Sequence, residues 1–94
     1  MRFAIIYRPK FQVPQDKLPE LLKGTGEWLQ SHGDRVEGVQ FFLGGGGFGT
    51  IETDDVGELM RLLADHPFTQ YSDVEIKPIV DPQAAMSVLQ EVYS

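Results

Sequence analysis

The chain has no cysteine, which excludes disulfides, thiolate metal sites and a thiol nucleophile, and suits a reducing compartment. It is also short of positive charge: 8 Lys and Arg stand against 14 Asp and Glu, for a formal net charge of -6. An acidic surface repels phosphate backbones and anionic headgroups, so neither nucleic acid nor a membrane is an expected partner. Long apolar runs are missing too. The opening MRFAIIYRPK offers only Phe3 to Tyr7 before Arg8, too short for a signal-peptide core or a membrane span, and a cytoplasmic protein is expected. Two histidines 34 positions apart, with no cysteine, make no metal signature, and no serine stands in a nucleophile-elbow context.

What is present is an ordinary globular balance. The chain has 94 residues, 41% hydrophobic and 23% charged, which predicts a single domain over residues 1–94 with a modest core. Its organising stretch is 36–53, VEGVQFFLGGGGFGTIET, where runs rich in Val, Phe, Ile and Thr flank consecutive glycines, the local signature of a β-hairpin. Gly44, Gly46 and Gly49 satisfy G-x-G-x-x-G literally. A dinucleotide site needs that motif between a parallel strand and a helix, whereas a strand follows here, so the glycines are assigned to a turn or bulge.

Taken in order, Arg2 to Arg8 reads as a central strand, because Phe3, Ile5 and Tyr7 point one way and Ala4 and Ile6 the other, leaving both faces apolar. Asp16 is the expected N-cap of a first helix. Leu18, Leu21, Leu22, Thr25, Trp28 and Leu29 form its apolar stripe, with a close approach or a bend expected at Gly24 and Gly26. In the hairpin, strict alternation places Val39, Phe41 and Leu43 on one face and Val36, Gln40 and Phe42 on the other. Asp54 or Asp55 caps a second helix with the stripe Val56, Leu59, Met60 and Leu63, Asp55 and Glu58 forming a capping-box variant; His66 and Pro67 end it. Asp73 to Val80 alternates, and Pro78 within it suits an edge strand. Asp81 and Pro82 open a last helix with Ala85, Val88, Leu89, Val92 and Tyr93 on one face.

The order strand, helix, strand, strand, helix, strand, helix predicts an α+β, ferredoxin-like βαββαβ unit with a C-terminal helix and a four-stranded antiparallel sheet. Two helices cover one face. The other carries apolar groups that call for cover, either by the terminal helix folding back or, as favoured here, by a homodimer formed through the sheet faces.

The element order, together with LLADHPFTQYSDVEI at 62–76, resembles the muconolactone isomerase family of the dimeric α/β-barrel superfamily, through Pro67, Tyr71, Asp73 and Glu75. GGGFGTIETDD resembles small proteins of the same superfamily. The resemblance implies a cofactor-free homodimer, extendable to a ring of dimers, that acts on a small molecule by proton transfer next to a lactone or ketone carbonyl. The alternatives are a non-catalytic binding or accessory protein and a cofactor-free oxygenase.

Proton transfer of that kind needs a general base, a donor to the enolate oxygen and a dry cavity. Glu52, His66 and Tyr71 are the candidate catalytic groups. Glu52 shares a sheet face with Gln40, Phe42 and Phe48, where a carboxylate could have a raised pKa; its plain alternative is a solvated hairpin end. His66 is either a base or a cation complementing the helix dipole. Tyr7 and Tyr71 either donate to an oxyanion or are core residues with wet hydroxyls. The expected substrate-binding set is Tyr7, Arg8, Gln40, Phe42, Phe48 and Asp73; Arg8 and Lys10 would attract a carboxylate, and Asp73 is otherwise the wet side of an edge strand.

Overall fold

Strand β1 (Arg2–Pro9) lies inside the sheet because it can bury side chains on both faces. In the computed structural model, which describes residues 1–93, it pairs antiparallel with β3 (Gly47–Glu52) on one side and β4 (Ser72–Ile79) on the other. β2 (Val36–Phe41) completes the antiparallel sheet in the order β2-β3-β1-β4, so β4 with its Pro78 is an edge strand, as its sequence predicts. Three helices accompany the sheet: α1 (Leu18–His32), α2 (Val56–Asp65) and α3 (Pro82–Tyr93). A short 3-10 turn, Thr69–Tyr71, leads into β4. This is the predicted ferredoxin-like arrangement.

Registers assign the faces. Phe3, Ile5 and Tyr7 lie opposite Ile51, Gly49 and Gly47 on the side that α2 covers, where Ile5, Ile51, Leu59, Leu62 and Leu63 form the buried core. Each such aliphatic side chain contributes roughly 1.5–3 kcal/mol on burial. From α1, Leu21 and Trp28 are buried, and the Trp28 indole Nε1 donates to the Leu62 carbonyl at 2.9 Å, tying the helices together. Leu22 remains 57% exposed, which shows that α1 stands off the sheet along part of its stripe. A Cβ on Gly24 would come within 3.2 Å of Pro67, so the expected close approach is to the α2–β4 connection; Gly26 faces open space.

Three local readings change. Lys17, not Asp16, stands at the N-cap of α1, and no described side chain caps that helix. Strict alternation in β2 fails because Gly38, at φ 64°, opens a bulge between Glu37 and Gln40. One extra residue reverses the alternation. Val36 and Phe41 therefore share the helix-covered side, opposite Ile51 and Gly47, while Gln40 pairs with Phe48 on the other. At the start of α2, the Asp55 carboxylate accepts from the Gly57 amide as an N-cap, yet Glu58 does not reach back to the Asp55 amide. Buried Thr53 takes that place: its hydroxyl accepts from Asp55 N at 3.0 Å and lies 3.0 Å from Glu58 Oε2.

The terminal helix begins as predicted, Asp81 Oδ1 accepting from Gln83 N at 3.0 Å. It does not fold back over the sheet. No described residue of α3 is buried, and the molecule measures 58 × 25 × 20 Å. The uncovered sheet face has Ala4, Ile6 and Phe48 at its middle. Around them stand ion pairs: Arg2 with Glu37 and Glu52 (3.7 and 3.8 Å), Glu75 with Arg8 and Lys77 (2.5 and 3.0 Å), and Lys10 with Asp73 (3.6 Å). No described helix is long and apolar enough to cross a membrane.

Candidate active site

Because α1 stands away from the hairpin, a cavity of about 440 Å³ opens between them, within the range of small-molecule sites. Glycines from β3 form its floor, since a side chain at Gly47 or Gly49 would fill the space against β2. The hairpin tip is held over it by paired turn bonds, Phe42 N to the Gly46 carbonyl (2.9 Å) and Gly45 N to the Phe42 carbonyl (3.0 Å). Among the described residues that line it there is no Asp, Glu, Lys or Arg.

The polar end is built where α2 runs into β4. His66 ends α2, its amide donating to the Leu63 carbonyl at 3.2 Å, and Pro67 prevents further helix. Its imidazole is packed between Tyr7 and Trp28, with ring centroids 4.6 and 4.8 Å away. The Phe68 amide donates to His66 Nδ1 at 3.1 Å, so Nδ1 is unprotonated and the ring proton sits on Nε2. Burial pushes the His66 pKa down to about 4. His66 is thus a neutral donor at neutral pH rather than the cation expected at a helix end. Among the described residues Nε2–H has no protein partner.

Tyr7, on β1, brings its hydroxyl to 2.7 Å from Thr69 Oγ1, and Thr69 Oγ1 donates to the Leu63 carbonyl at 2.6 Å. Burial raises the Tyr7 pKa, with the Thr69 contact opposing the shift more weakly. Tyr71 lines the cavity from the 3-10 turn, its carbonyl receiving the Lys10 and Phe11 amides (2.9 and 3.2 Å) that close the β1 end.

The sequence-derived candidates divide in space. His66, Tyr7 and Tyr71 lie on the cavity wall; Gln40, Phe42 and Phe48 border its hairpin end, but Gln40 and Phe48 belong to the opposite sheet face, where the Phe42 and Phe48 rings lie 5.6 Å apart. Glu52 lies elsewhere, solvent-exposed at the end of β3 and paired with the Met1 ammonium at 3.3 Å and with Arg2. Arg8 and Asp73 are likewise off the cavity wall, engaged with Glu75 and Lys10. Thr69 escaped sequence reasoning because a threonine in a loop carries no signal until the fold sets it beside Tyr7. Trp28 read only as part of a helical stripe.

A family model described as "Domain of unknown function (DUF3303)" matches residues 1–93. The chain belongs to the DUF3303 family. None of the curated proteins compared with it matches. Among solved structures, this DUF3303 chain is similar to 5-chloro-2-hydroxyhydroquinone dehydrochlorinase (TftG) from Burkholderia phenoliruptrix AC1100, in complex with 2,5-dihydroxybenzoquinone. The TM-score is 0.73 at 13% identity, over 89% of this chain and 98% of that one. It is similar also to muconolactone isomerase, with a TM-score of 0.72 and 19% identity over 87% of this chain and 92% of that one. At such identities the likeness is one of fold. The DUF3303 chain shares its ferredoxin-like fold with these two proteins, the fold implied by the resemblance of residues 62–76 to the dimeric α/β-barrel superfamily.

Proposed function

We propose that the protein works in the cytoplasm as a small-molecule-binding member of this superfamily, taking an uncharged ring compound into the cavity between α1 and the hairpin. One observation carries the reading: an apolar space of about 440 Å³ whose polar end presents a neutral imidazole and tyrosines and no ionised group. An unpaired carboxylate ligand would be costly to desolvate there. The TftG structure holds a small ring compound, 2,5-dihydroxybenzoquinone, and the name of the other similar enzyme specifies a lactone, also a ring.

A second reading adds catalysis. The His66 Nε2–H is placed to donate to a carbonyl oxygen as it becomes an enolate, which supports proton transfer next to that carbonyl; Tyr71, on the same wall, is the other candidate group. A base for the carbon proton is not supplied by the cavity wall of one described protomer, so binding without turnover is the reading the geometry favours. The strip of half-buried Ala4 and Ile6 with exposed Phe48, ringed by charges of both signs, supports pairing of two copies through their sheets.

The test is an NMR titration of the labelled protein with δ-lactones and simple quinols, run in deuterated buffer. Saturable shifts at Tyr7, Trp28, His66 and Phe68 are expected. Shifts scattered over the surface, or none, sink the cavity reading; deuterium entering the carbon next to the lactone carbonyl establishes turnover.

A further inference from the structure

The hydrogen-bond chain behind the cavity has a direction. Thr69 has one hydroxyl proton, and the Leu63 carbonyl, which cannot donate, lies 2.6 Å from Thr69 Oγ1 and takes it. Thr69 can then only accept from Tyr7, 2.7 Å away, so the Tyr7 hydroxyl proton points into the wall. What Tyr7 turns to the cavity is a lone pair. The tyrosine is therefore an acceptor, the reverse of the oxyanion donor it is taken for when read alone. His66 is fixed the opposite way: the Phe68 amide occupies Nδ1 and leaves Nε2–H as the donor. The two rings are in contact, with centroids 4.6 Å apart.

We propose that Tyr7 and His66 act as an acceptor–donor pair that selects, among neutral ring compounds, those with a free hydroxyl and a carbonyl on one edge. The Tyr7 oxygen accepts a hydrogen bond from the ligand hydroxyl, and His66 donates one to the carbonyl. The proposal rests on the cavity reading and adds polarity to it. The absence of ionised groups from the described wall keeps the ligand neutral, and buried polar atoms left unmatched penalise a compound that lacks either group.

Three probes of similar size separate the possibilities: 3-hydroxyacetophenone carries both groups, 3-methoxyacetophenone only the carbonyl, and 3-ethylphenol only the hydroxyl. NMR titration of the intact protein at neutral pH is expected to give the hydroxy ketone an affinity about three- to tenfold above either of the others. Tyr7→Phe should bring hydroxy and methoxy ketones level while keeping the advantage of the ketone over 3-ethylphenol. Thr69→Val provides a second route that leaves Tyr7 in place. By removing the acceptor of the tyrosine proton, it frees that proton for the cavity, and the methoxy ketone should gain relative to wild type. Equal binding of hydroxy and methoxy ketones by the wild type, or a hydroxyl preference that survives both substitutions, overturns the pairing and leaves the cavity reading standing. Failure of every probe to bind overturns both.

Discussion

His66 is the residue with the plainest consequence for stability. Its folded pKa of about 4 lies below the ordinary 6.5, so below pH 6.5 the unfolded chain binds a proton that the folded chain refuses. Stability is therefore unaffected by this group at high pH, falls as pH drops from 6.5, and levels off near 4. Allowing for its partial exposure, the loss is on the order of 1–2 kcal/mol. Denaturant unfolding of wild type and His66→Gln at pH 7.5 and 4.5 measures it: the wild type should lose more on acidification, and parallel losses would show that the imidazole is not shielded. Sequence could place His66 at a helix end but not choose its charge. That choice depends on Tyr7 and Trp28, which are 59 and 38 positions away and reach it only through the fold.

At the scale of elements, the hairpin turn and the terminal helix make opposite predictions. Gly46 has φ +82°, and a Cβ there would meet the Tyr7 carbonyl of β1 head-on, so Gly46→Ala should cost roughly 1–3 kcal/mol and disturb the hairpin tip over the cavity. Leu89, on α3, is 47% exposed, whereas Leu59 on α2 is 2% exposed. Leu59→Ala should cost about 2–5 kcal/mol and Leu89→Ser less than about 0.5 kcal/mol in chemical denaturation of dilute protein. A large loss from Leu89→Ser would reveal that α3 is packed against another chain. Element type and order were legible throughout, because caps such as Asp55 and Asp81 and stripes such as Leu59 and Leu63 are local signals. The β2 faces were not. Gly38 reads as one glycine among many until the pairing of Gln40 with Phe48 shows that an extra residue has been absorbed, and that absorption is what turns Phe41 toward the cavity.

For the whole molecule the question is what covers the second sheet face. The apolar groups on both sides of β1 announced the problem in the sequence, and the fold sharpens it by sending α3 outward, leaving Phe48 exposed and Ala4 and Ile6 only half-buried, with no described helix over them. Pairing through this face predicts a sedimentation mass of twice 10.6 kDa or a multiple of it at micromolar concentration. Ile6→Lys should then return the 10.6 kDa species with its fold intact, since β1 would keep both its ladders. A wild type that sediments as one chain would remove the proposed pairing. Several residues that border the cavity were picked out in the sequence, but its place was not: it arises because Leu22, Thr25 and Leu29 line a gap between α1 and the sheet, and spacing along a helix does not reveal the distance to its neighbour.

The contact between Trp28 and His66 has an optical consequence. Trp28 is the chain's single indole, and an imidazolium ring beside it drains its excited state far more readily than a neutral imidazole does. Emission from the native protein should therefore stay bright across the physiological pH range and dim only as acid converts the neighbouring ring near pH 4, so that the protein carries within its own wall a gauge of that proton.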